Sequence, residues 1–111
     1  MIARELITEN LLPLKTSDSG DEALQTMSDF NVRHLPIVNN EQLLGLISED
    51  DILQHNTEEP IGSYALTLQR PYVYEDDHIF DVMTRLDELR LTVIPVIDRD
   101  ENYLGIICLD E

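Results

Sequence analysis

Two segments of the chain carry apolar residues at every third or fourth position, the period of an amphipathic helix. They span residues 23–30 and 82–89. Ser19 and Glu22 precede the first segment with the spacing of a capping box. We therefore predict a first helix that starts after Ser19 and ends near Asn31.

Short continuous apolar runs follow each helical segment and predict pairs of β-strands. After the first helix the runs are residues 35–38 and 43–47, and after the second helix they are residues 93–97 and 103–108. Each pair is joined by a polar connection of four or five residues, which is typical of a β-hairpin.

A short helix is predicted after the first hairpin. Ser48 stands at its N-cap position, and we expect Ile52 and Leu53 to face inward. The corresponding helix of the second half would begin at Glu111, the last residue. We expect its absence to leave apolar sheet surface bare, so that the chain is a fragment of a longer protein or is covered there by another subunit.

The same landmarks occur twice in the same order, which indicates a duplication. Pro36 and Pro95 stand in matching apolar runs 59 positions apart, and Gly45 and Gly105 stand in matching runs 60 positions apart. Each half is predicted to run strand, helix, strand, strand, helix. We assign residues 1–57 to repeat one and residues 58–111 to a truncated repeat two.

Residues 54–61 form a polar segment that we interpret as the linker between the repeats. A unit of about 55 residues buries too little surface to be stable alone. The two repeats are therefore expected to pack face to face as one module.

The composition is that of an acidic globular chain. Of 111 residues 42% are hydrophobic, and 23 Asp and Glu against 7 Lys and Arg give a formal net charge of −16 at pH 7. Nucleic acid and anionic membranes are therefore poor partners. The sequence has neither the roughly 20 apolar residues that insert in a membrane nor a signal-peptide core, so we expect a cytoplasmic protein. The single cysteine, Cys108, excludes an internal disulfide.

Two further segments carry a resemblance, and they are Val32-Arg33-His34-Leu35-Pro36-Ile37-Val38 and Gly45-Leu46-Ile47-Ser48-Glu49-Asp50-Asp51. In these residues and their spacing the chain resembles the CBS domain family, the regulatory modules named after cystathionine β-synthase. The resemblance implies an α/β (α+β) fold, with two βαββα repeats packed sheet to sheet about a pseudo-two-fold axis and two clefts between them. It also implies a homodimer formed by CBS–CBS packing.

The resemblance implies a sensor. In similar modules the clefts hold AMP, ATP or S-adenosylmethionine, and binding controls a fused or partner domain. We therefore expect a regulatory module that binds such an adenosine-type ligand, with or without Mg2+, and that requires no cofactor.

In the family, a Ser or Thr three residues after the strand glycine and an Asp six residues after it serve the ligand, and the Asp accepts hydrogen bonds from the ribose. Ser48 and Asp51 match these positions in repeat one. The resemblance places them opposite the segment of repeat two that ends at its proline, namely Thr92, Val93, Ile94 and Pro95. The same two residues also have the spacing of a capping box, and both interpretations stay open.

In repeat two the matching positions hold Cys108 and Glu111, and both depart from the family pattern. A thiol is a weak substitute for a hydroxyl, and Glu reaches one methylene further than Asp. The resemblance places this pair opposite the corresponding segment of repeat one, namely Arg33, His34, Leu35 and Pro36. The first cleft then has the ribose carboxylate without basic residues, and the second has Arg33 and His34 without the usual Asp. Neither cleft is therefore a complete nucleotide site.

The acidic run Glu49, Asp50 and Asp51 would repel a bare triphosphate at close range. A ligand with few or no phosphates, or a phosphate bridged by Mg2+, is easier to accept. Arg33 and His34 can complement one phosphate.

Two other functions compete with adenosine sensing. The first is sensing of Mg2+ by carboxylates of the acidic run and of Asp76 and Asp77, which supply the hard oxygen ligands that this ion prefers. Asp76 and Asp77 also stand where the second helix is predicted to begin, and acidic residues there complement the helix dipole. The second alternative is a dimerisation or scaffolding module without a ligand.

Catalysis is not expected. His34, His55 and His78 lack both the spacing of metal ligands and an evident nucleophile partner. No Walker loop, dinucleotide-binding glycine motif or zinc-protease motif is present.

Overall fold

The first long helix begins at a side chain that caps it. The structure is a computed structural model and describes residues 1–109. In α1 (Gly20–Phe30), Ser19 Oγ accepts a hydrogen bond from the Glu22 amide at 3.1 Å, and Glu22 Oε1 accepts one from the Ser19 amide at 2.9 Å. The predicted capping box is confirmed. The helix ends at Asn31, whose φ of 55° is left-handed.

The hairpin of repeat one follows α1. β1 (His34–Asn39) and β2 (Gln42–Ser48) pair antiparallel. Asn40 and Glu41 connect them with φ angles of 52° and 66°. Two consecutive residues with positive φ are the mark of a type I′ turn, whose twist matches that of the strands it joins.

A short helix, α2 (Glu49–Leu53), follows β2 directly. Ile52 is fully buried against α1, as predicted, but Leu53 is 59% exposed. The prediction for Leu53 was wrong because neighbouring helical residues point about 100° apart, and a five-residue helix presents one side to the core.

Residues 54–61 were interpreted as a polar linker, but they are hydrogen-bonded to the start of α1. The Asp21 amide donates to the Thr57 carbonyl at 2.8 Å, and the Ile61 amide donates to the Asp18 carbonyl at 2.8 Å. Ile61 is buried in the core of repeat one. The segment is therefore a packed part of the fold.

The sheet of repeat two has three strands in the order β3-β4-β5. They are β3 (Val73–Tyr74), β4 (Val93–Ile97) and β5 (Tyr103–Cys108). β3 is parallel to β4, and β4 is antiparallel to β5. The predicted limits of the last two strands are confirmed.

The opening strand of each repeat is short. In repeat two Val73 pairs with Val96, and in repeat one the corresponding contact is a single parallel bridge between Leu14 and Ile37. Both pairs of positions are related by the same step of 59 residues, so the duplication seen in the sequence is also present in the strand pairing.

The helix of repeat two is α3 (Ile79–Leu89). Its N-cap is His78, whose Nδ1 accepts a hydrogen bond from the Phe80 amide at 3.1 Å. Phe80 is 74% exposed and Met83 is 42% exposed. Glu111, where we expected the last helix to begin, lies outside the described residues. Within residues 1–109 no helix is long and apolar enough to cross a membrane.

The two repeats share one hydrophobic core. Val93 and Ile106 of repeat two belong to the same buried cluster as Leu35 and Ile47 of repeat one. A second cluster lies within repeat two and is completed by Ala3, which belongs to a 3-10 turn at Ala3–Leu6. The expected packing of the repeats through their sheets is therefore confirmed.

An extended segment of each repeat crosses to the hairpin of the other. The Thr8 amide donates to the Ile106 carbonyl at 2.8 Å, and the Leu46 amide donates to the Gln69 carbonyl at 2.9 Å. A glycine stands at each crossing. A Cβ atom on Gly45 would lie 2.7 Å from Leu68 Cβ, so the backbone approach there requires glycine.

Candidate ligand-binding cleft

Ser48 and Asp51 form a capping box at the junction of β2 and α2. Ser48 Oγ accepts a hydrogen bond from the Asp51 amide at 3.0 Å, and Asp51 Oδ2 accepts one from the Ser48 amide at 3.2 Å. The capping interpretation is therefore confirmed. It does not exclude a ligand, because Asp51 Oδ1 has no hydrogen-bond partner among the described residues.

Both side chains line a cavity of about 300 Å³ at the seam between the repeats. One wall belongs to repeat one and consists of His34, Leu46, Ser48 and Asp51. The other wall belongs to residues assigned to repeat two and consists of Thr67, Leu68, Gln69, Pro71, Leu89 and Leu91. The cavity thus combines one carboxylate, two hydroxyls, an amide and an imidazole with leucine and proline side chains. Small-molecule sites likewise pair a few polar groups with apolar surface.

His34 is the ionisable neighbour of Asp51 in this cavity. It stands opposite Ser48 in the β1–β2 ladder, and its Nδ1 atom is buried with no hydrogen-bond partner among the described residues. Burial lowers the pKa of the imidazole below its usual 6.5, and the negative charges of Asp51 and Asp50 oppose that shift. The ring is therefore neutral at neutral pH.

The expected partners of Ser48 and Asp51 in repeat two lie elsewhere. Val93, Ile94 and Pro95 are buried and paired with β5 of their own repeat. Because each strand that carries the proline pairs with the hairpin partner of its own repeat, the residues before the proline lie beside that repeat's own site. The expectation that the Thr92–Pro95 segment faces Ser48 is corrected.

Thr92 lines a second cavity, of about 330 Å³, together with Cys108. The Cys108 amide donates to Thr8 Oγ1 at 3.3 Å. The remaining lining residues are Phe30, Asn31, Val32 and Leu109.

The resemblance had placed a segment of repeat one at this second cleft. None of its residues, Arg33, His34, Leu35 and Pro36, lines the cavity, and His34 lies in the first cleft instead. Glu111 lies outside the described residues, so its expected place in the cleft cannot be compared with the structure.

Sequence reasoning missed the crossing segment Thr67 to Gln69 and the pair Leu89 and Leu91. Leu91 is preceded by the end of α3, and its counterpart Val32 lines the second cavity. The duplication therefore contained a signal for Leu91. The sequence of the crossing segment gave no such signal, because its place depends on the hydrogen bond between Gln69 and Leu46 of β2.

A larger cavity, of about 500 Å³, lies at the turn end of the first hairpin. All of its lining residues belong to repeat one, and they are Leu12, Pro13, Lys15, Thr16, Ser17, Val38, Asn39, Asn40 and Glu41. It contains no carboxylate besides that of Glu41 and no contribution from the second repeat, so it lacks the features of the Ser48–Asp51 cleft.

Asp76 and Asp77, two of the carboxylates proposed for Mg2+ sensing, already accept hydrogen bonds from other groups of the protein. Asp76 accepts a hydrogen bond from Arg99 at 2.9 Å, and Asp77 accepts one from the Tyr74 amide at 2.8 Å. Among residues 1–109, no group of three or more His, Cys, Asp or Glu side chains is arranged to hold a metal ion.

The sequence profile of the CBS domain matches residues 3–58 and residues 63–111, which together cover most of the chain. The chain belongs to the CBS domain family. The two matched ranges correspond to two CBS repeats in tandem, as the duplication of the strand and hairpin landmarks indicated.

Curated relatives are much longer than this CBS pair. Homoserine O-acetyltransferase of Methanococcus vannielii is 28% identical over 112 residues, which cover 96% of this chain and 23% of that protein. The enzyme of the same name from Methanohalobium evestigatum is 26% identical over 113 residues, with coverages of 96% and 22%. The chain spans less than a quarter of either relative.

Solved structures share the fold. A CBS domain pair/ACT domain protein from Thermotoga maritima superposes with a TM-score of 0.84 at 18% identity and covers 98% of this chain and 90% of its own. The structure of CBSX2 in complex with AMP superposes with a TM-score of 0.77 at 24% identity, and the match covers 96% of this chain and 89% of CBSX2. A CBS domain pair in complex with 5′-methylthioadenosine and S-adenosyl-L-methionine gives 0.73 at 22% identity, with coverages of 98% and 90%.

Proposed function

We propose that this CBS pair is a regulatory module that binds an adenosine-type ligand in the Ser48–Asp51 cleft and controls a fused or associated protein. The observation that carries the proposal is the composition of the cleft. Its two walls come from different repeats, and a carboxylate with a free oxygen stands at its polar end.

Asp51 is suited to the ribose. One of its oxygens closes the cap of α2, which fixes the carboxylate in place. The other oxygen is available to accept hydrogen bonds from ribose hydroxyls, and such charge-assisted bonds are stronger than neutral ones. Capping and ligand binding are therefore two uses of the same side chain.

The leucines of the cavity are suited to the base. Leu46 belongs to β2, Leu68 belongs to the crossing segment, Leu89 is the last residue of α3, and Leu91 follows that helix. A cavity of about 300 Å³ is at the lower limit of the volumes found for small-ligand sites.

Regulation follows from the shared walls. A ligand that contacts both repeats stabilises the relative arrangement in which both contacts are made. The related structures with AMP, and with 5′-methylthioadenosine and S-adenosyl-L-methionine, support an adenosine ligand for this fold. We assign no catalytic step to the chain, since it spans less than a quarter of the acetyltransferases that it resembles.

A homodimer formed by CBS–CBS packing is part of the proposal, and the exposed Phe80 and Met83 of α3 supply apolar surface for such a contact. Cytoplasmic location remains a proposal from the sequence alone.

The test is a thermal-shift and calorimetric screen of adenosine, AMP, ADP, ATP and S-adenosylmethionine, with and without Mg2+. We expect at least one adenosine compound to raise Tm, and we expect Asp51→Asn to abolish that rise. Glu22→Gln is the matched control, because it also replaces a carboxylate by an amide of the same length, and Glu22 has the same capping role at α1 and lies outside the cavity. Both variants should lose about 0.3–1 kcal/mol of stability, because each removes a negative charge from the first turn of a helix.

The two variants separate binding from folding. Equal ligand-induced increases of Tm in Asp51→Asn and Glu22→Gln would remove Asp51 from the ribose role. A shift with divalent cations alone would favour cation sensing, and no shift with any compound would favour a scaffolding module.

A further inference from the structure

We propose that the Ser48–Asp51 cleft selects adenosine derivatives whose 5′ substituent is uncharged or positively charged, and that it discriminates against phosphorylated ones. The inference rests on the proposed function, because it names the ligand class of that same cleft. Three observations carry it, and they concern the charge of the lining, the hydrogen-bond donors and the size of the cavity.

The lining is negatively charged. Asp51 is a carboxylate, and no Lys or Arg is present among the described residues that line the cavity. Asp50 and Glu49 add negative charge at the start of α2, and the field of Asp50 reaches His34 inside the cleft. A phosphate monoester carries about −1.5 to −2 charges at pH 7 and would meet this field without a fixed cation to offset it.

Three backbone donors at the start of α2 are already in use. The amides of Ser48 and Asp51 donate to each other's side chains, and the Glu49 amide donates to the Arg33 carbonyl at 2.9 Å. A bound phosphate requires donors that are free to point at it. At the start of α2 a phosphate could obtain these three donors only by breaking the capping box or the Glu49–Arg33 hydrogen bond.

The cavity is too small for a charge to avoid Asp51. A volume of about 300 Å³ corresponds to roughly 8 Å across, no more than the Debye length of about 8 Å at physiological ionic strength. A negative 5′ group anywhere inside is therefore repelled by the carboxylate that holds the ribose. A positive group, such as a sulfonium, is attracted by it, and an uncharged group is not repelled.

Two matched pairs of compounds test the inference by isothermal titration calorimetry on the whole chain. Adenosine and AMP differ by the phosphate, and S-adenosylhomocysteine and S-adenosylmethionine differ by the positive charge on sulfur. We expect adenosine to bind roughly tenfold more tightly than AMP, and S-adenosylmethionine to bind at least as tightly as S-adenosylhomocysteine. Raising the salt concentration should reduce the difference between adenosine and AMP.

A variant that removes one negative charge and leaves the capping box of α2 intact tests whether charge causes the discrimination against AMP. Asp50 is exposed and is not part of the capping box, so Asp50→Asn should raise the affinity for AMP roughly threefold and leave that for adenosine unchanged. Asp100→Asn is the control, since Asp100 is an exposed carboxylate in the turn after β4 and does not line the cavity.

The outcomes separate the two proposals. AMP binding as tightly as adenosine, or an AMP affinity that Asp50→Asn leaves unchanged, would overturn the charge selectivity while the adenosine cleft stands. No binding of any of the four compounds would overturn this inference, and no binding of ADP or ATP either would overturn the proposed function with it.

Discussion

His34 illustrates how one side chain connects the strand ladder to the electrostatics of the cleft. Its backbone is fixed in β1 opposite Ser48, which places the ring beside Asp51 in the cavity. The buried Nδ1 atom finds no hydrogen-bond partner among the described residues, so the neutral ring lacks a group that would stabilise its protonated form directly. Burial therefore outweighs the two nearby carboxylates in setting its pKa.

This gives a prediction for stability against pH. Because the pKa of His34 is lower in the folded protein than its usual 6.5, the unfolded chain binds the proton more readily. The contribution of His34 to stability is therefore fully present above about pH 6.5, and it decreases as the pH falls through 6.5 towards the folded-state pKa. Urea unfolding at pH 7.5 and pH 5.5 should show a smaller loss of stability in His34→Gln than in the wild type. An equal loss in both proteins would contradict the assignment.

At the scale of the element, the short helix α2 has two neighbouring apolar residues in opposite environments. Ile52 is fully buried and lies against Gly20 of α1, whereas Leu53 is largely exposed. The helix is held by the capping box at one end and by the packing of Ile52 on α1, because five residues are too few for a helix to be stable by itself. This helix carries Asp51, so its position determines the shape of the cleft.

The expected outcome is a large difference between two chemically similar substitutions. Ile52→Ala should lower the free energy of unfolding by about 2–5 kcal/mol, since it removes buried methyl groups and leaves a cavity. Leu53→Ala should change it by less than about 1 kcal/mol, since its side chain is already in contact with water. Chemical denaturation of both variants measures this difference, and similar losses would show that Leu53 is packed in solution.

At the scale of the whole molecule, the cleft exists because the repeats exchange segments. The segment that contains Leu68 and Gln69 crosses to β2 and forms part of the second wall of the cavity. The symmetric crossing brings Ile7 and Thr8 to β5. Each crossing passes directly over a glycine, so the separation of the repeats is set by the absence of a side chain there.

The two glycines should respond differently to alanine. A Cβ atom on Gly45 would lie 2.7 Å from Leu68 Cβ and 2.9 Å from the Gln69 carbonyl oxygen, and backbone cannot move aside easily. On Gly105 the nearest atom would be Ile7 Cγ2, at 2.5 Å, which belongs to a side chain. We therefore expect Gly45→Ala to destabilise by about 1–3 kcal/mol and Gly105→Ala by less.

Thermal unfolding and ligand titration check this order. Gly45→Ala should also weaken the binding of any adenosine ligand, because the displaced segment, which contains Leu68 and Gln69, lines the cavity. The neighbouring Leu44→Ala serves as control, since Leu44 is 42% exposed. If Gly105→Ala were less stable than Gly45→Ala, this would contradict the argument that the backbone at Gln69 cannot move aside as easily as the Ile7 side chain.

Local patterns were sufficient for most of the fold. The capping residues Ser19 and Ser48 and the strand limits of the second hairpin could be predicted because caps and strand periods depend on residues close in sequence. The duplication predicted that the halves fold alike, because equal sequence patterns encode equal local structures. Leu53 could not be placed, since its side of α2 depends on where α1 lies.

By itself the sequence determined that two similar units form this protein and that Ser48 and Asp51 stand at the end of a hairpin. The tertiary structure decided which residues face them. It brought Gln69 and Leu91 to the cleft and kept the Thr92–Pro95 segment beside Cys108. The physical reason is that a cleft between repeats is made of contacts distant in sequence, and their positions depend on how the two sheets pack and which segment crosses between them.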